Sequence, residues 1–565
     1  MGQEKPETAD TPRLSTWTQQ NLIEWWEVHP DPDSWISAGP RLQAALLAAQ
    51  EQYGLDKVFE NKHFRGWMIH LNWIELFPSE TFDADPFWSK PETLDMFRQL
   101  SLGGEIPRLL ASSLDSRDNG EKALDVLMRI AVAHPDVVGQ LPTLAVAYAV
   151  VFDQPFPESW PHPFAKQEWM KIANHPVEDR FEFFLESLKA RQIYLDPKKL
   201  SVRDLTYAVD SPLELTEFRY AQQVKINGIG QLAELYPAVK YDFPRAQRGD
   251  FLWPHGENYH LFEIGKRGGI CADQAFFVSQ TAKAKGIPSL FFLGQGRSGG
   301  HAWVGFMSAP GRWELDVAKY RGEKYPVGVA YDPQTWRRVT DAQFRFLTQE
   351  QVSNDRYEGM QLTLRWAEMN PDADFYGGLL RHARKFVPRW FSTWELEAEF
   401  LKDHPRATRE VKERFWRMWI TNFQGEVDMR TRGQVSLLQL LRAEGDDRAA
   451  ERLEAEIIQQ NKSERFDLAI KVAAEMIFLH MDRGDWDLAS KECERQLTKF
   501  KRDSGGHLFY NLVQPFVERC LEAGRRELAA KAVADLGEVF QPAKNSMLDQ
   551  DISDLRRLVG TPPPP

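Results

Sequence analysis

An internal repeat near the C-terminal end constrains the fold of this 565-residue chain more than any other feature. Gly445, Gly484 and Gly524 recur at intervals of 39 and 40 residues, and each is followed five residues later by an alanine. Each glycine lies between two segments with helical apolar spacing, which predicts a helix, a tight turn and a second helix. One such hairpin cannot bury its apolar faces alone, so consecutive hairpins stack into a solenoid. We therefore predict a helical-repeat domain over residues 345–558.

The first part of the sequence also has the pattern of packed helices. Residues 123–134 and 143–152 carry apolar side chains at helical spacing or on all sides, and proline-rich joints separate such segments. We predict an N-terminal helical domain over residues 31–205. A polar, flexible leader is expected at residues 1–30, and a disordered, proline-rich tail at 559–565.

Residues 206–344 have a different pattern. One helical segment ends at Gly286 and Pro288, and short aromatic or β-branched segments follow it, separated by Gly-rich or Pro-Gly turns. A helix followed by three or more strands predicts a small α+β unit. The predicted fold class is therefore α+β and multidomain. It is mostly α-helical, with a small α+β core between two helical, repeat-like or solenoid-like regions.

The composition of the chain argues against several classes of function. The formal net charge is −12 and no long run of Lys and Arg occurs, so nucleic acid is not an expected partner. No stretch of about 18 or more apolar residues is present, so no transmembrane segment is predicted. Cys271, Cys493 and Cys520 lie far apart, without Cys-x-x-Cys or Cys/His ligand spacing. We therefore predict no metal site, no disulfide framework and no cofactor.

The N-terminal residues bear on localisation. They are polar and lack the apolar core of a signal peptide, which places the chain as written in the cytoplasm. Export to the periplasm is the alternative, if Met1 and Gly2 stand where a signal was removed. The sequence makes no prediction of the oligomeric state.

Three residues far apart in the sequence have the chemistry of a thiol enzyme. Cys271 directly precedes the helical segment, where unpaired N–H groups and the helix dipole favour a thiolate. His301 opens a strand-like segment 30 residues later, and Asp316 lies 15 residues further, in the next one. Antiparallel pairing of these strands can place imidazole and carboxylate side by side and present the second ring nitrogen to the sulfur. The pattern predicts a nucleophile, a base and an orienting residue.

A family resemblance follows from these motifs. The order Gly-x-Cys, helix, Gly-Ile-Pro, strand, Gly-His-Ala-Trp-Val, strand and Trp-x-Leu-Asp resembles the core of the transglutaminase-like superfamily, a rearranged relative of papain-type cysteine proteases. The resemblance covers a small part of the chain. It implies a catalytic triad of Cys271, His301 and Asp316, a thioester that passes to water or an amine, and no metal in the chemistry. Bacterial members with added helical domains favour hydrolysis.

The resemblance also implies an oxyanion hole, built from backbone N–H groups and an upstream Trp or Gln side chain. Trp253 is the candidate for that side chain, and Trp303 matches an aromatic position of the family. Gly269, with its neighbour Gly268, allows the backbone to approach a substrate closely. Asp332 is the alternative orienting residue, since Asp-Pro follows this strand in relatives. The aspartate of the Trp-x-Leu-Asp motif is preferred to it.

Two hypotheses of function follow. The first is a transglutaminase-like thiol enzyme that acts on amide bonds of peptides or proteins, as a peptidase or amidase or by acyl transfer to an amine. The alternative is a non-catalytic helical-repeat scaffold that uses a transglutaminase-like domain for protein binding. The expected partner is a protein or peptide substrate held by the C-terminal repeats. These repeats resemble tetratricopeptide-like repeats with a longer period.

Overall fold

The computed structural model describes residues 19–29, 31–77, 85–170, 176–295, 300–320, 327–349, 352–371, 374–462, 465–500, 505–542, 544 and 547–560. Most of the predicted leader and most of the predicted tail lie outside the described residues. The chain is mostly helical, at 68%, and its described part holds one antiparallel sheet of five strands. The predicted mostly helical chain with a small α+β unit is confirmed at this level. None of the described helices has the length and hydropathy needed to cross a bilayer.

The N-terminal region is a bundle of helices. They are α1 (Gln19–Val28), α2 (Pro32–Tyr53), α3 (Leu55–Glu60), α4 (Lys62–Glu75), α5 (Pro91–Gly103), α6 (Glu105–Ser113), α7 (Gly120–Ala133), α8 (Pro135–Val138), α9 (Pro142–Val151), α10 (Val177–Lys189) and α11 (Val202–Val209). The side chains of Asp31, Asn61 and Asn119 accept backbone N–H groups at the starts of α2, α4 and α7. Helix α9 is apolar on all sides, and it is buried against α6, α7 and α11.

The middle of the chain holds the sheet. Its helices are α12 (Leu215–Gln223), α13 (Leu232–Ala238), α14 (Phe243–Gln247), α15 (Leu261–Arg267), α16 (Cys271–Ala284) and α17 (Asp341–Gln349). Its strands are β1 (Ser289–Gln295), β2 (Gly300–Ala309), β3 (Arg312–Val317), β4 (Gly328–Tyr331) and β5 (Arg338–Thr340). The strand order is β3-β2-β1-β4-β5, and all neighbours are antiparallel.

The sheet lies between two apolar clusters, because alternate residues of a strand point to opposite faces. On one face, Ala302, Val304 and Phe306 of β2 share a core with Ala275 and Val278 of α16. A separate cluster holds the side chains of the opposite face, which are Tyr207, Leu290, Phe292, Trp303, Leu315, Ala330, Val339 and Phe344. Packing of β2 on α16 is what brings the start of this strand close to the start of the helix.

The C-terminal region is a succession of helical hairpins. Its helices are α18 (Asn354–Glu368), α19 (Tyr376–Phe386), α20 (Phe391–Asp403), α21 (Arg409–Asn422), α22 (Val427–Ala443), α23 (Asp447–Asn461), α24 (Phe466–Asp482), α25 (Trp486–Phe500), α26 (Gly505–Leu508), α27 (Gln514–Glu522), α28 (Arg526–Val533), α29 (Leu536–Phe540) and α30 (Met547–Val559). One π-helical turn, Phe509–Val513, precedes α27.

The glycine repeat lies at three of these turns. Gly445, Gly484 and Gly524 separate α22 from α23, α24 from α25 and α27 from α28, with φ values of 74°, 86° and 70°. In each turn the glycine N–H bonds the carbonyl three residues earlier, and the next N–H bonds the carbonyl five residues earlier. The alanine that follows each glycine by five residues is buried: Ala450, Ala489 and Ala529. The predicted helix, turn and helix units are therefore confirmed.

The hydrophobic cores do not follow the predicted domain boundaries. One core runs through the N-terminal helices, one face of the sheet, α18 and α19, and a second extends from α22 to α30. The boundary between residues 205 and 206 falls inside α11, and the boundary between 344 and 345 falls inside α17. The chain therefore passes between these regions through packed helices rather than through linkers. Cys493 and Cys520 are buried in the second core.

Candidate active site

Cys271 is the first residue of α16, as its position in the sequence predicts. Asp273 accepts the backbone N–H of the residue before Cys271 at 2.8 Å, which caps this helix start. Gly268 has a φ of 85°, and a Cβ added there would lie 2.2 Å from the carbonyl oxygen of Lys240. A Cβ at Gly269 would lie 2.4 Å from the side chain of Asp273. The two glycines therefore allow the chain at the start of α16 to pack closely against Lys240 and Asp273. The sequence predicts instead that the backbone at these glycines approaches a substrate.

The thiol of Cys271 lies beside the first residues of β2. The backbone N–H of Ala302 donates to the sulfur and lowers the pKa of the thiol. The hydroxyl of Tyr236 lies 2.7 Å from the carbonyl oxygen of Ala302 and 3.3 Å from that of Cys271, and so connects β2 to α16. The fold thus brings Cys271 next to the residue that follows His301.

The protonation of the thiol differs from the prediction. Burial raises the pKa of the Cys271 thiol above its ordinary value, and the carboxylate of Asp273 raises it further. The N–H groups of Ala302, Ala272 and Cys271 itself lower that pKa but do not outweigh burial. The N–H groups at the helix start thus favour the thiolate, as the sequence predicts, but burial outweighs them, because removing a thiolate from water costs more than these donors return.

His301 is the second residue of β2, and its side chain is buried. Its Nε2 atom lies 2.7 Å from the carbonyl oxygen of Ala318. Because a carbonyl oxygen only accepts, Nε2 carries the hydrogen in the neutral ring and Nδ1 carries the lone pair. The ring of Tyr320 stacks on the imidazole at a centroid distance of 4.0 Å. The acceptor that orients this imidazole is therefore a backbone carbonyl.

Asp316 is directed away from the imidazole. Val304 of β2 lies opposite Val317 of β3, and an irregularity in the register follows, so Asp316 lies near Gly305 rather than opposite His301. Four residues of strand separate these positions, which corresponds to roughly 13 Å. The half-exposed Asp316 carboxylate accepts from Arg345 at 3.0 Å and from Lys319 at 3.4 Å. The predicted bond between Asp316 and the imidazole is thus replaced by surface ion pairs.

Asp332, the alternative orienting residue, is used in a turn. It follows β4, which pairs with β1 and β5 and not with β2. One carboxylate oxygen accepts from the hydroxyl of Tyr207 at 3.1 Å. The other accepts from the backbone N–H groups of Gln334 and Thr335, at 3.1 and 2.9 Å. Asp332 therefore stabilises the turn that follows β4, and its carboxylate oxygens are used there.

The two predicted tryptophans both belong to the core. Trp253 is buried, with its ring 5.1 Å from that of Tyr259 and 5.8 Å from the guanidinium of Arg245. Trp303 is fully buried on the face of the sheet away from α16, and a Cβ at Gly294 or Gly328 would overlap its indole. Neither tryptophan is among the groups that shift the pKa of the thiol. The donors that act on the sulfur are backbone N–H groups.

A buried polar network supports the helix start, and sequence analysis missed it. Asp273 accepts from Arg245 at 2.7 Å and from the hydroxyl of Tyr259 at 2.9 Å, and both members of the ion pair are almost completely buried. The Tyr259 hydroxyl in turn lies 2.7 Å from Nε2 of His162. Burial lowers the pKa of His162 to about 3. The sequence signal was an Asp at the third position of a helix, which is typical of caps.

A cleft of about 720 Å³ opens beside these groups. Its wall includes Tyr236, Pro237, Tyr241, Phe243, Lys319 and Tyr320. The pKa of Tyr241 is raised to about 12, mainly by burial and next by the charge of Cys271. The pKa of Tyr320 is raised by the same two causes, in the same order. The charge of Cys271 therefore acts on both phenols, and no sequence motif pointed to either of them.

Comparison with known proteins gave no match to a family model, to a curated protein or to a solved structure. The resemblance to the transglutaminase-like superfamily therefore rests on the sequence motifs. In the described part of the chain, no group of three or more His, Cys, Asp or Glu side chains is placed to hold a metal ion.

Proposed function

We propose that this protein is a thiol-dependent acyl-transfer enzyme of the transglutaminase-like kind, acting on amide bonds of peptides or proteins through a thioester on Cys271. The observation that carries the proposal is the meeting of two chain segments. Cys271 begins α16, and its sulfur accepts the N–H of Ala302 in β2. His301 directly precedes Ala302 in β2, so the proposed base is next in the chain to the residue that bonds the proposed nucleophile.

The imidazole of His301 supplies the base. Its Nε2–H donates to the Ala318 carbonyl, so the neutral ring carries its lone pair on Nδ1, the atom that we propose takes the thiol proton. Burial and the stacked ring of Tyr320 restrict the orientation of the imidazole. The carbonyl of Ala318 takes the role that a carboxylate has in the familiar triad, which is to hold the ring and select its tautomer.

The proposed reaction proceeds in two stages. Nδ1 of His301 takes the thiol proton as Sγ of Cys271 bonds to the amide carbonyl carbon. The C–N bond then breaks, and the imidazolium gives its proton to the leaving amine. In the second stage a water molecule loses a proton to Nδ1 and attacks the thioester, and the C–S bond breaks as the sulfur regains a proton. An amine in place of water gives acyl transfer instead.

Backbone N–H groups at the start of α16 are suited to the oxyanion that forms in each stage. Because burial raises the pKa of the resting thiol, we propose that the proton passes to His301 as the sulfur attacks, rather than in a separate earlier step. Peptide hydrolysis is the preferred outcome, and it follows from the family resemblance alone.

A non-catalytic scaffold is the second candidate. The raised pKa of the Cys271 thiol and the pairing of Asp316 with Arg345 favour it, because neither is expected of an activated triad. In this case the α+β region would bind a peptide without breaking it.

Alkylation by iodoacetamide, followed for each cysteine by mass spectrometry, separates the two candidates. For an enzyme, Cys271 reacts faster than the buried Cys493 and Cys520, which serve as internal controls. We expect His301→Gln to slow Cys271 by at least about tenfold and to leave the other two rates unchanged. Equal Cys271 rates in the two proteins would exclude the imidazole as its base and leave the scaffold.

A peptide mixture tests the outcome of the reaction. The enzyme proposal predicts products that have gained one water, or one added amine, and Cys271→Ala abolishes them. Thermal unfolding of Cys271→Ala checks that the variant is folded. An unchanged product pattern in this variant would contradict the enzyme proposal.

A further inference from the structure

The cleft beside the candidate site has walls that reach both reactive groups. Tyr236 lies within hydrogen-bond distance of the backbone of Cys271, and the phenols of Tyr241 and Tyr320 are close enough to the thiol to be affected by its charge. Ala318, whose carbonyl oxygen accepts from the imidazole, is also in the wall. The cleft therefore adjoins the residues that contact the backbone of Cys271 and the imidazole of His301.

Aromatic rings form much of this wall. Tyr236, Tyr241, Phe243 and Tyr320 all line the cleft. Phe243 is 65% exposed and Tyr320 is 55% exposed. Large rings left in water together at one place mark a binding surface, because covering them with another apolar group is favourable. The rings of Tyr241 and Phe243 already contact each other edge to face, at 4.8 Å between centroids.

The charged side chain that lines the cleft is already paired with other protein groups. Among the described residues that line it, Lys319 is the one charged side chain. Its ammonium lies 3.4 Å from the carboxylates of both Asp316 and Asp341. The amide of Gln274 is also occupied, since it donates to two backbone carbonyls at 3.1 and 2.7 Å. Apart from the amide of Gln247 and the tyrosine hydroxyls, the surface that the cleft offers to a ligand is apolar and aromatic.

We propose that the cleft binds an aromatic side chain of the substrate, so that Cys271 acts on amide bonds close to a phenylalanine, tyrosine or tryptophan residue of a peptide. The inference rests on the proposed function above. A substrate ring against Phe243 and Tyr320 gains both area burial and ring-to-ring contact. Small pockets of this kind select by shape and apolar character near the reacting group.

Three alkylating reagents with one electrophile test the inference. They are iodoacetamide, N-benzyl iodoacetamide and N-(cyclohexylmethyl) iodoacetamide. In each, the Cys271 sulfur bonds to the methylene carbon, iodide leaves, and the thiol proton passes to the base and then to solvent. Rates for Cys271 are measured by mass spectrometry and divided by the rates for glutathione. We expect the benzyl reagent to react about tenfold faster than iodoacetamide, and the cyclohexyl reagent to gain less.

Two phenylalanine variants form the matched control. Phe243→Ala removes an exposed ring of the cleft, and we expect it to reduce the benzyl preference, measured as the ratio of the benzyl rate to the iodoacetamide rate, to about twofold or less. Phe262→Ala removes a ring of similar exposure, 51%, on α15 outside the cleft. This variant is expected to keep the full preference.

The possible results distinguish the two proposals. Slow reaction of Cys271 with all three reagents removes the proposed function itself. Fast reaction with iodoacetamide but no benzyl preference overturns the aromatic inference alone. Equal gains from the benzyl and cyclohexyl reagents, or equal losses in both phenylalanine variants, also overturn it.

Discussion

The Nε2 atom of His301 lies 2.7 Å from the carbonyl oxygen of Ala318, a residue with a φ of 67°. Strand β3 ends at Val317, so the acceptor lies where the chain leaves the sheet. A carbonyl has no ionisable form, and it keeps the hydrogen of the neutral imidazole on Nε2 at any pH at which the fold persists. The orientation of the proposed base therefore depends on backbone geometry at a strand end.

Substitution of the family-position aspartate should have little effect. We expect Asp316→Asn to leave the Cys271 alkylation rate within about twofold, because its carboxylate pairs with Arg345 and Lys319 and both contacts are solvent-exposed. The free energy of unfolding should change by less than about 1 kcal/mol, measured by denaturant titration. A loss of alkylation rate of about 100-fold would restore the carboxylate as the orienting group.

Substitutions at Ala318 should act through the backbone. We expect Ala318→Gly to retain the alkylation rate, because glycine adopts a positive φ without strain. Ala318→Val is expected to slow Cys271 several-fold, since a β-branched residue is strongly disfavoured at this φ and its carbonyl must move from the imidazole. Nitrogen NMR of the His301 ring reports the tautomer in both variants. An unaltered tautomer and rate in Ala318→Val would contradict this account.

Removing the buried carboxylate should be costly. Asp273→Asn leaves the guanidinium of Arg245 without its ionic partner, and both side chains are almost completely buried. We expect the free energy of unfolding to fall by about 3 kcal/mol or more, measured by denaturant titration. The exposed pair in Asp316→Asn is the matched control. In the same variant the pKa of the Cys271 thiol should fall, because the Asp273 carboxylate raises it, and alkylation at a fixed pH should then be faster.

Stability should decline in mild acid because of two buried histidines. Burial lowers the pKa of His70 and of His162 to about 3, from an ordinary value of 6.5. Between about pH 6.5 and 3 the unfolded chain therefore binds more protons than the folded chain, and stability is lost as pH falls. Each histidine contributes a slope of roughly 1.4 kcal/mol per pH unit in this range.

His70→Phe tests that slope. The ring of His70 lies among Trp25, Trp26 and Trp67, so an apolar ring of similar shape is expected to be accommodated. Denaturant titrations at several pH values should show the slope reduced by the contribution of one histidine. A slope equal to that of the unchanged protein would mean that His70 is not the group that titrates.

Much of the fold could be predicted because its signals are local. The helical apolar period, the glycine turns at Gly445, Gly484 and Gly524, and the start of α16 at Cys271 each depend on a few neighbouring residues and on backbone geometry.

Tertiary structure alone decided which groups meet at the site. Whether Asp316 or the Ala318 carbonyl reaches His301 depends on the register of β3 against β2, and displacement by a few residues exchanges the partners. The pKa of the Cys271 thiol is set by the sum of its surroundings, and burial reverses the effect expected from its place on the helix. The sequence by itself determined the elements and the reactive residue types. Long-range packing determined register, burial and hence the chemistry available to them, because those quantities depend on contacts between residues distant in the chain.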